Sequence, residues 1–358
     1  IMKYIVTFSG GKDSLDTIIW CLNNLQIDQW EIVFCDTDWE DEITYQHIKD
    51  ISEKIGKEIN VLRHEPYPIS DEERNKIREI FGKDNLFAEM VIYKSRFPST
   101  KARFCTEELK AKPMIDYVLS LNYDVKIIQG VRADESLARK NMKRDDDYFK
   151  FYFEPYKVNK KGVKIFHTYR KKDVFERANM YSTDVLRPII DKTAIDVFNS
   201  IYSNGFKPNG LYQLGMSRVG CFPCVMCTKG EIKQVGQIRP LRVIQIKAIE
   251  AMSNSTFFPP AYIPIRFCTK KAKVRLYVDD LLNTQMPNIY NPRMYNSIME
   301  SDKIEKFEDE EGEIYVIKTM PVPTIDDVIK YVSDNPNQTT LFEPIGGCVS
   351  VYNICETN

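Results

Sequence analysis

Ser9-Gly10-Gly11-Lys12-Asp13-Ser14 separates an apolar run, Tyr4 to Phe8, from the apolar residues Ile18, Ile19 and Trp20. These residue types in this order describe a phosphate cradle. Gly10 and Gly11 let backbone N–H groups converge with no Cβ in the way. Ser9 and Ser14 add two hydroxyls and Lys12 an ammonium, while a helix opening through Ser14 and Asp16 turns its positive end on the anion. An ordinary strand–turn–helix corner also needs glycine, but it has no use for Ser, Lys and Ser around it. The hexad is not the standard P-loop, because Lys12 is followed by Asp13 and not by Ser or Thr.

Four other segments carry reactive or charged groups. Asp36-Thr37-Asp38-Trp39-Glu40 follows a second apolar run. A carboxylate there could accept from an adenosine amine or ribose, or hold Mg²⁺ against phosphates; helix capping by Asp38 or Asp41 is the plainer role. Gly130-Val131-Arg132-Ala133-Asp134-Glu135-Ser136 follows another run, with Arg132 aimed at the cradle's anion or paired on the surface with Asp134 or Glu135. Gly220-Cys221-Phe222-Pro223-Cys224-Val225-Met226-Cys227 concentrates three thiols in one turn, in the C-x2-C-x2-C spacing of iron–sulfur loops. Zinc would use the same thiols, and packing as small hydrophobes is the third option. Lys157 to Lys172 interleaves cations with Phe166, His167 and Tyr169, as a nucleic-acid backbone would require and as a solvated hairpin would also show.

The glycine hexad resembles the SGGxDS loop of the N-type ATP pyrophosphatases, which include ATP sulfurylase small subunits, tRNA thiolases and phosphoadenosine phosphosulfate (PAPS) reductases. Asp36 to Glu40 is similar to the DTxWE turn of PAPS-reductase-like enzymes. Arg103-Phe104-Cys105-Thr106-Glu107-Glu108-Leu109-Lys110-Ala111-Lys112-Pro113-Met114 resembles their RxCTxxLKxxPL block, and Gly130 to Ser136 their G-I/V-R-A-x-E-S turn. The resemblance, spanning about residues 3–250, implies an adenine-nucleotide alpha-hydrolase-like (PP-loop) fold. It also implies that ATP, or PAPS or adenylyl sulfate, is bound by Ser9, Gly10, Gly11, Lys12, Ser14, Asp36, Thr37, Arg103, Gly130 and Arg132, with Mg²⁺. Lys12, Asp13 and Arg132 are the expected catalytic residues. Adenylyl-sulfate reductases place two adjacent cysteines where this chain has Cys105 and Thr106. With Cys227 replacing the missing one, Cys105, Cys221, Cys224 and Cys227 become the expected ligands of a [4Fe–4S] cluster, with zinc as the alternative.

Two activities follow from that likeness. One is cleavage of ATP to AMP and pyrophosphate so that an adenylated substrate accepts sulfur, as in proteins similar to the DNA-phosphorothioation and tRNA-thiolation enzymes, with a sulfur-donor protein as a partner. The other is reduction of PAPS or adenylyl sulfate to sulfite. The chain shows no Glu-Cys-Gly-Leu-His segment to supply a reductase's cysteine, although Cys348 and Cys355 could form a redox pair. A third reading is a nucleotide- or nucleic-acid-binding protein without catalysis.

Elements must bring these segments together. Strands over Tyr4–Phe8, 31–35, 59–63, 125–129 and 185–189 alternate with helices over 13–25, 42–55, 107–121 and 193–202, which predicts a doubly wound parallel sheet with ligands at its carboxyl rim. Residues 66–104 read as irregular because of Pro66, Pro68 and Pro98, and 140–180 as a basic aromatic insertion. A domain over 1–258 and an accessory region over 259–358, with a hairpin at 306–318 around an acidic turn, complete the expected plan.

Composition supports a globular chain: 358 residues, 43% hydrophobic and 28% charged, with a formal net charge of −1. No global field attracts nucleic acid, so any such contact needs a local patch. Nine cysteines and a first strand that starts at once predict a reducing, cytoplasmic setting with no leader and no membrane span. Three histidines, none in an HxxxH pair, argue against histidine-based zinc catalysis.

Overall fold

The computed structural model describes residues 2–99, 102–284 and 289–335. Cys348 and Cys355 lie outside them. Strands β1 (Lys3–Thr7), β2 (Trp30–Cys35), β3 (Ile59–Leu62) and β4 (Val125–Ile128) form the core of a six-stranded sheet. With β5 (Asp145–Asp147) and β8 (Thr183–Leu186) the sheet order is β3-β2-β1-β4-β8-β5, while β6 (Lys157–Val158) and β7 (Lys164–Ile165) pair as a separate antiparallel ribbon. All pairs in the six-stranded sheet are parallel except β5 with β8. The α/β doubly wound class expected from the sequence is the one observed.

Both sheet faces are covered, so the strands read as continuous apolar runs. Val6, Ile32, Phe34 and Ile128 face one layer, helices α1 (Lys12–Asn24), α2 (Glu42–Ile55) and Ala194–Ser203. Ile5, Val33, Ile127 and Val185 face the other, helices Lys112–Ser120 and Lys171–Ala178. The predicted cap of the helix at 194 is present as a reciprocal Thr193–Asp196 pair. From β1 the chain runs outward through β2 and β3, then returns to β4 on the other side. The carboxyl ends of β1 and β4 therefore flank the switch point where such sheets bind ligands.

Three segments differ from expectation. Residues 66–104 contain two helices, α3 (Asp71–Phe81) and α4 (Leu86–Lys94). Ser70 and Glu73 cap α3 reciprocally, and Gly82 ends it. Nearly all of α4 is buried, so it carries no amphipathic signal. The helix expected at 107–121 opens with a π turn, Glu107–Ala111, in which the Lys112 N–H bonds to Glu107. Pro113 has no N–H to offer Leu109, and the wider turn absorbs that loss. Finally, the insertion supplies β5, whose three aspartates give the sheet a charged edge.

A third and larger core lies beyond the rim. It joins Trp39, Phe87, Met90 and Leu109 to Phe222, Ile232, Ile249, Phe257, Ile325 and Val332. Helix Ile325–Asp334 thus packs with Lys229–Ile238 and Pro240–Met252, so one core takes residues from both sides of position 258. The accessory segment also forms a three-stranded antiparallel sheet, β9 (Lys270–Tyr277), β10 (Phe307–Glu308) and β11 (Ile314–Val322), ordered β10-β11-β9. The expected hairpin is the β10–β11 pair.

Candidate active site

The glycine corner leaves β1 with Gly10 at φ +80°, a conformation open to glycine at little cost. A Cβ there would also stand 2.7 Å from Thr44 Cγ2. Helix α1 starts after Gly11, which has no side chain to cap it, so apart from the Lys12 N–H its first-turn donors are left for an anion. Ser14 Oγ donates to the Gly11 carbonyl (3.0 Å) and lies 3.3 Å from Ser9 Oγ.

Lys12 and Asp13 are buried. Lys12 Nζ donates to Asp13 Oδ2 (2.9 Å), while Arg132 Nε donates to Asp13 Oδ1. Burial pushes the Lys12 ammonium below its ordinary range, with the Asp13 charge opposing that shift. Arg132 also meets Asp134 and, at 3.5 Å, Glu135. Arg132 is therefore buried, reaching the glycine corner through Asp13 and pairing with Asp134 and Glu135 of its own loop. Gly130 brings that loop in, since a Cβ there would lie 2.8 Å from the Asp13 carbonyl carbon and the Ser14 nitrogen.

Asp36 and Thr37, at the end of β2, are both engaged. Asp36 Oδ1 accepts from Asp38 N–H (2.9 Å) and Tyr45 Oη (2.7 Å), and its Oδ2 from Arg63 (2.7 Å). Thr37 Oγ1 donates to Glu40 Oε1 (2.8 Å). Glu40 is buried, and desolvation raises its carboxyl above the ordinary range. Asp38 takes φ +56° and accepts from Leu86 N–H (3.1 Å) at the start of α4, so its role includes positioning that helix.

The cysteine turn docks on this segment. Glu40 and Cys221 form a β-bridge, Phe222 N–H donates to the Trp39 carbonyl (2.7 Å), and Trp39 Nε1 donates to the Pro223 carbonyl (2.9 Å). Cys105, Cys221 and Cys224 line one cleft together with Thr37, Arg103 and Lys110. Burial, with further contributions from neighbouring thiols, pushes Cys105 up to about 12 and Cys221 to about 11. Lys110 also lines a second pocket with Ser9, Cys35 and Glu40, and so stands between the thiols and the glycine corner. Arg103, expected at the nucleotide, lies instead in the thiol cleft; its Nη1 is buried without a hydrogen-bond partner.

Cys227 departs from the expected set. It is buried in the apolar core, with the charged groups of Glu231 and Arg218 and the thiol of Cys224 nearby. Among the described residues no three His, Cys, Asp or Glu side chains are placed to hold one metal ion. The four expected thiols are thus divided, with Cys105, Cys221 and Cys224 on the cleft and Cys227 in the core, where Tyr262 Oη donates to its backbone carbonyl (3.0 Å).

The basic segment also behaves differently from the expected nucleic-acid stripe. Lys157 pairs with Glu311, Lys160 with Asp279 and Glu313 (2.7 Å), and Lys161 with Glu308 (2.7 Å). Arg170 pairs with Asp116 (2.9 Å) and Lys172 with Glu176 (3.7 Å).

Sequence reasoning missed two residues of the corner. Tyr212 Oη accepts from Lys12 N–H (3.0 Å), and Asn209 donates to the Gly10 carbonyl (3.3 Å). Both arrive from about two hundred residues away, and no local pattern marks them. Among the described residues no helix is long and apolar enough to cross a membrane.

The chain matches the phosphoadenosine phosphosulfate reductase domain over residues 3–227. It is 31% identical over 299 residues to an uncharacterized 37.8 kDa protein of Escherichia phage 186, covering 73% of this chain and 80% of that protein. Two uncharacterized Methanocaldococcus jannaschii proteins are 27% and 28% identical over 65% and 64% of this chain, which spans only 44% and 38% of their length. Among solved structures, the PAPS reductase of Candida auris in a phosphate complex is 13% identical, covering 62% of this chain and 82% of that one, with a TM-score of 0.38. The FMN adenylyltransferase of Candida glabrata is 12% identical over 62% of this chain and 52% of its own, with a TM-score of 0.32. The family match includes the glycine corner, the Asp36 turn, the Gly130 loop and the cysteine turn, and the chain belongs to the phosphoadenosine phosphosulfate reductase domain family.

Proposed function

We propose that this chain cleaves ATP between the α and β phosphates, releasing pyrophosphate and adenylating an acceptor oxygen, which then leaves as AMP when a sulfur nucleophile takes its place. One observation carries the reading: an uncapped helix start behind a positive-φ glycine, with Lys12 and Arg132 sharing one carboxylate, at the sheet's switch point.

Gly11 and the first turn of α1 offer backbone donors to the leaving pyrophosphate, with Ser9 and Ser14 beside them. Asp13 keeps the two cations ordered until phosphate oxygens take its place. Lys12, held in a site poor in water, then stabilises charge that grows on the departing phosphates, where such a donor is worth most. Bound with the triphosphate, Mg²⁺ would supply neutralising charge beside Lys12 and Arg132. Asp36 and Thr37 border the same rim and suit the adenosine.

The cleft of Cys105, Cys221 and Cys224 supports a sulfur step next to the nucleotide, with Lys110 between the two. An iron–sulfur cluster or zinc ion on the predicted four thiols would require Cys227 to leave the core, and no step here runs through one. The acceptor is a nucleic acid or a small molecule, and a sulfur-donor protein would supply the cleft. The described cysteines are all free thiols, which supports a reducing, cytoplasmic setting.

Incubation with α-labelled ATP should yield AMP and pyrophosphate, and Lys12→Ala should lower the rate by about 10²–10³-fold, the range for removing one transition-state donor. Unchanged turnover in the variant would refute the cradle's role. Sulfite formed from PAPS without ATP would instead establish the reductase.

A further inference from the structure

The accessory sheet buries one face and leaves the other in water. On the inner face Leu276 and Val316 join Val278, Leu281 and Ile298 in a small core. The alternate residues of β9 are Lys271, Lys273 and Arg275, all exposed. They pair in register with Pro321, Thr319 and Ile317 of β11, and Ile317 is 53% exposed. Side chains two apart on a strand stand about 7 Å from each other. The three cations therefore form a straight row on an edge strand.

The row runs into rings at one end. The Arg275 guanidinium lies 4.3 Å from the centroid of Tyr315, and Phe307 stacks on that same ring at 5.5 Å. Tyr277 stands beside it at 5.8 Å.

Most of the nearby carboxylates are engaged away from the row, and of these Asp309 lies close enough to Arg275 to act on its charge. Glu308, Glu311 and Glu313 of the β10–β11 turn, with Asp279, are bound to Lys157, Lys160 and Lys161. Asp309 accepts from Tyr277 Oη (3.2 Å) and from its own turn. Among the described residues Lys271 and Lys273 have no ion-pair partner. The acidic hairpin thus neutralises the segment that looked basic in sequence and leaves this second row charged.

We propose that the outer face of the β9–β11 sheet binds single-stranded nucleic acid. Lys271, Lys273 and Arg275 would track successive phosphates, and the ring cluster at Arg275 would receive an unpaired base. Cations in line with half-buried rings fit a single strand better than an acidic peptide, which has no base to stack, or a membrane, which has no linear phosphate track. The proposal does not depend on ATP cleavage.

The test is fluorescence anisotropy of the full chain with a labelled single strand of about 15 nucleotides, across a salt series. Wild-type protein should bind in a salt-dependent manner. Lys271→Ser/Lys273→Ser/Arg275→Ser should weaken binding at least about tenfold and flatten the log–log salt slope by about 2, three contacts at about 0.7 each. Thermal melts check that the triple variant folds, and Lys273→Glu alone should show a smaller loss in the same direction. Unchanged affinity and slope in the triple variant would overturn the proposal. So would absence of wild-type binding, equal competition by polyglutamate or anionic vesicles, or a loss that instead follows substitution of Lys157, Lys160 and Lys161.

Discussion

The glycine corner and the thiol cleft are neighbours built on opposite plans. The corner is six consecutive residues whose working groups are mainly backbone: a positive φ at Gly10 and an uncapped helix start. The cleft takes its thiols from Cys105 on one segment and from Cys221 and Cys224 on another, and it exists only because Trp39 and Glu40 dock the second segment on the sheet rim. A backbone site is complete once its turn forms. A side-chain site depends on which way every member faces, and Cys227, three residues from Cys224, faces the core.

The contrast can be broken most severely at Gly130. Gly130→Ala would drive a Cβ into the backbone of Asp13 and Ser14, which cannot yield as a flexible side chain would. Overpacking of this kind costs about 1–3 kcal/mol or more, and the expected result is about a 100-fold loss of ATP affinity, read by equilibrium binding. Gly56→Ala is the matched control: φ is +63° but nothing lies within 4 Å of the added methyl. It should cost about 1 kcal/mol of stability and spare nucleotide binding. Equal affinity in the two variants would show that close approach of the β4 loop does not shape the corner.

Thiol labelling sharpens the other half. Burial holds Cys221 up to about 11, so its alkylation rate should climb about tenfold per pH unit from pH 8 to 10, since only the thiolate reacts. A plateau near pH 8.5, followed by mass spectrometry, would mean an open thiol and not one enclosed by Glu40 and Thr37. Cys227 should be labelled only on unfolding.

The smallest effect lies outside both sites, where Glu250 accepts from Phe257 N–H (2.8 Å) and Ile325 N–H (3.1 Å) and ties the C-terminal helix to the core. Burial raises its carboxyl from 4.5 to about 7. The folded state then binds this proton more tightly than the unfolded one. The stabilisation is complete below about pH 4.5 and is lost as pH rises through about 7. Thermal melts of Glu250→Gln from pH 5 to 8 should show a shallower decline than wild type, by at most about 1.4 kcal/mol per pH unit. ATP affinity should be unchanged; a parallel decline would mean that Glu250 does not titrate in this range.

Much of the frame was legible because its signals are local. The apolar runs at β1, β2 and β4, the glycines after them and the Thr193–Asp196 cap each act within a few residues. α3 was legible in principle through its Ser70–Glu73 pair and Gly82, but the surrounding prolines suggested a loop. α4 was not: a helix buried on all sides has no stripe to reveal its period. The same limit applies to the antiparallel β5, whose charged residues resemble a loop until β8 pairs with them.

Alone, the amino-acid order determined the glycine turn after the first strand, the alternation that builds the parallel sheet, and membership in the phosphoadenosine phosphosulfate reductase domain family. Those depend on backbone geometry and on periodicity, both of which act over short stretches of chain. Only the folded arrangement decided that Tyr212 would meet Lys12, that Cys227 would part from the other thiols, and that an acidic hairpin would neutralise one basic segment and leave another exposed. Each of these depends on groups far apart in the chain, and their pairing follows from which apolar surfaces bury each other and where that leaves the charges.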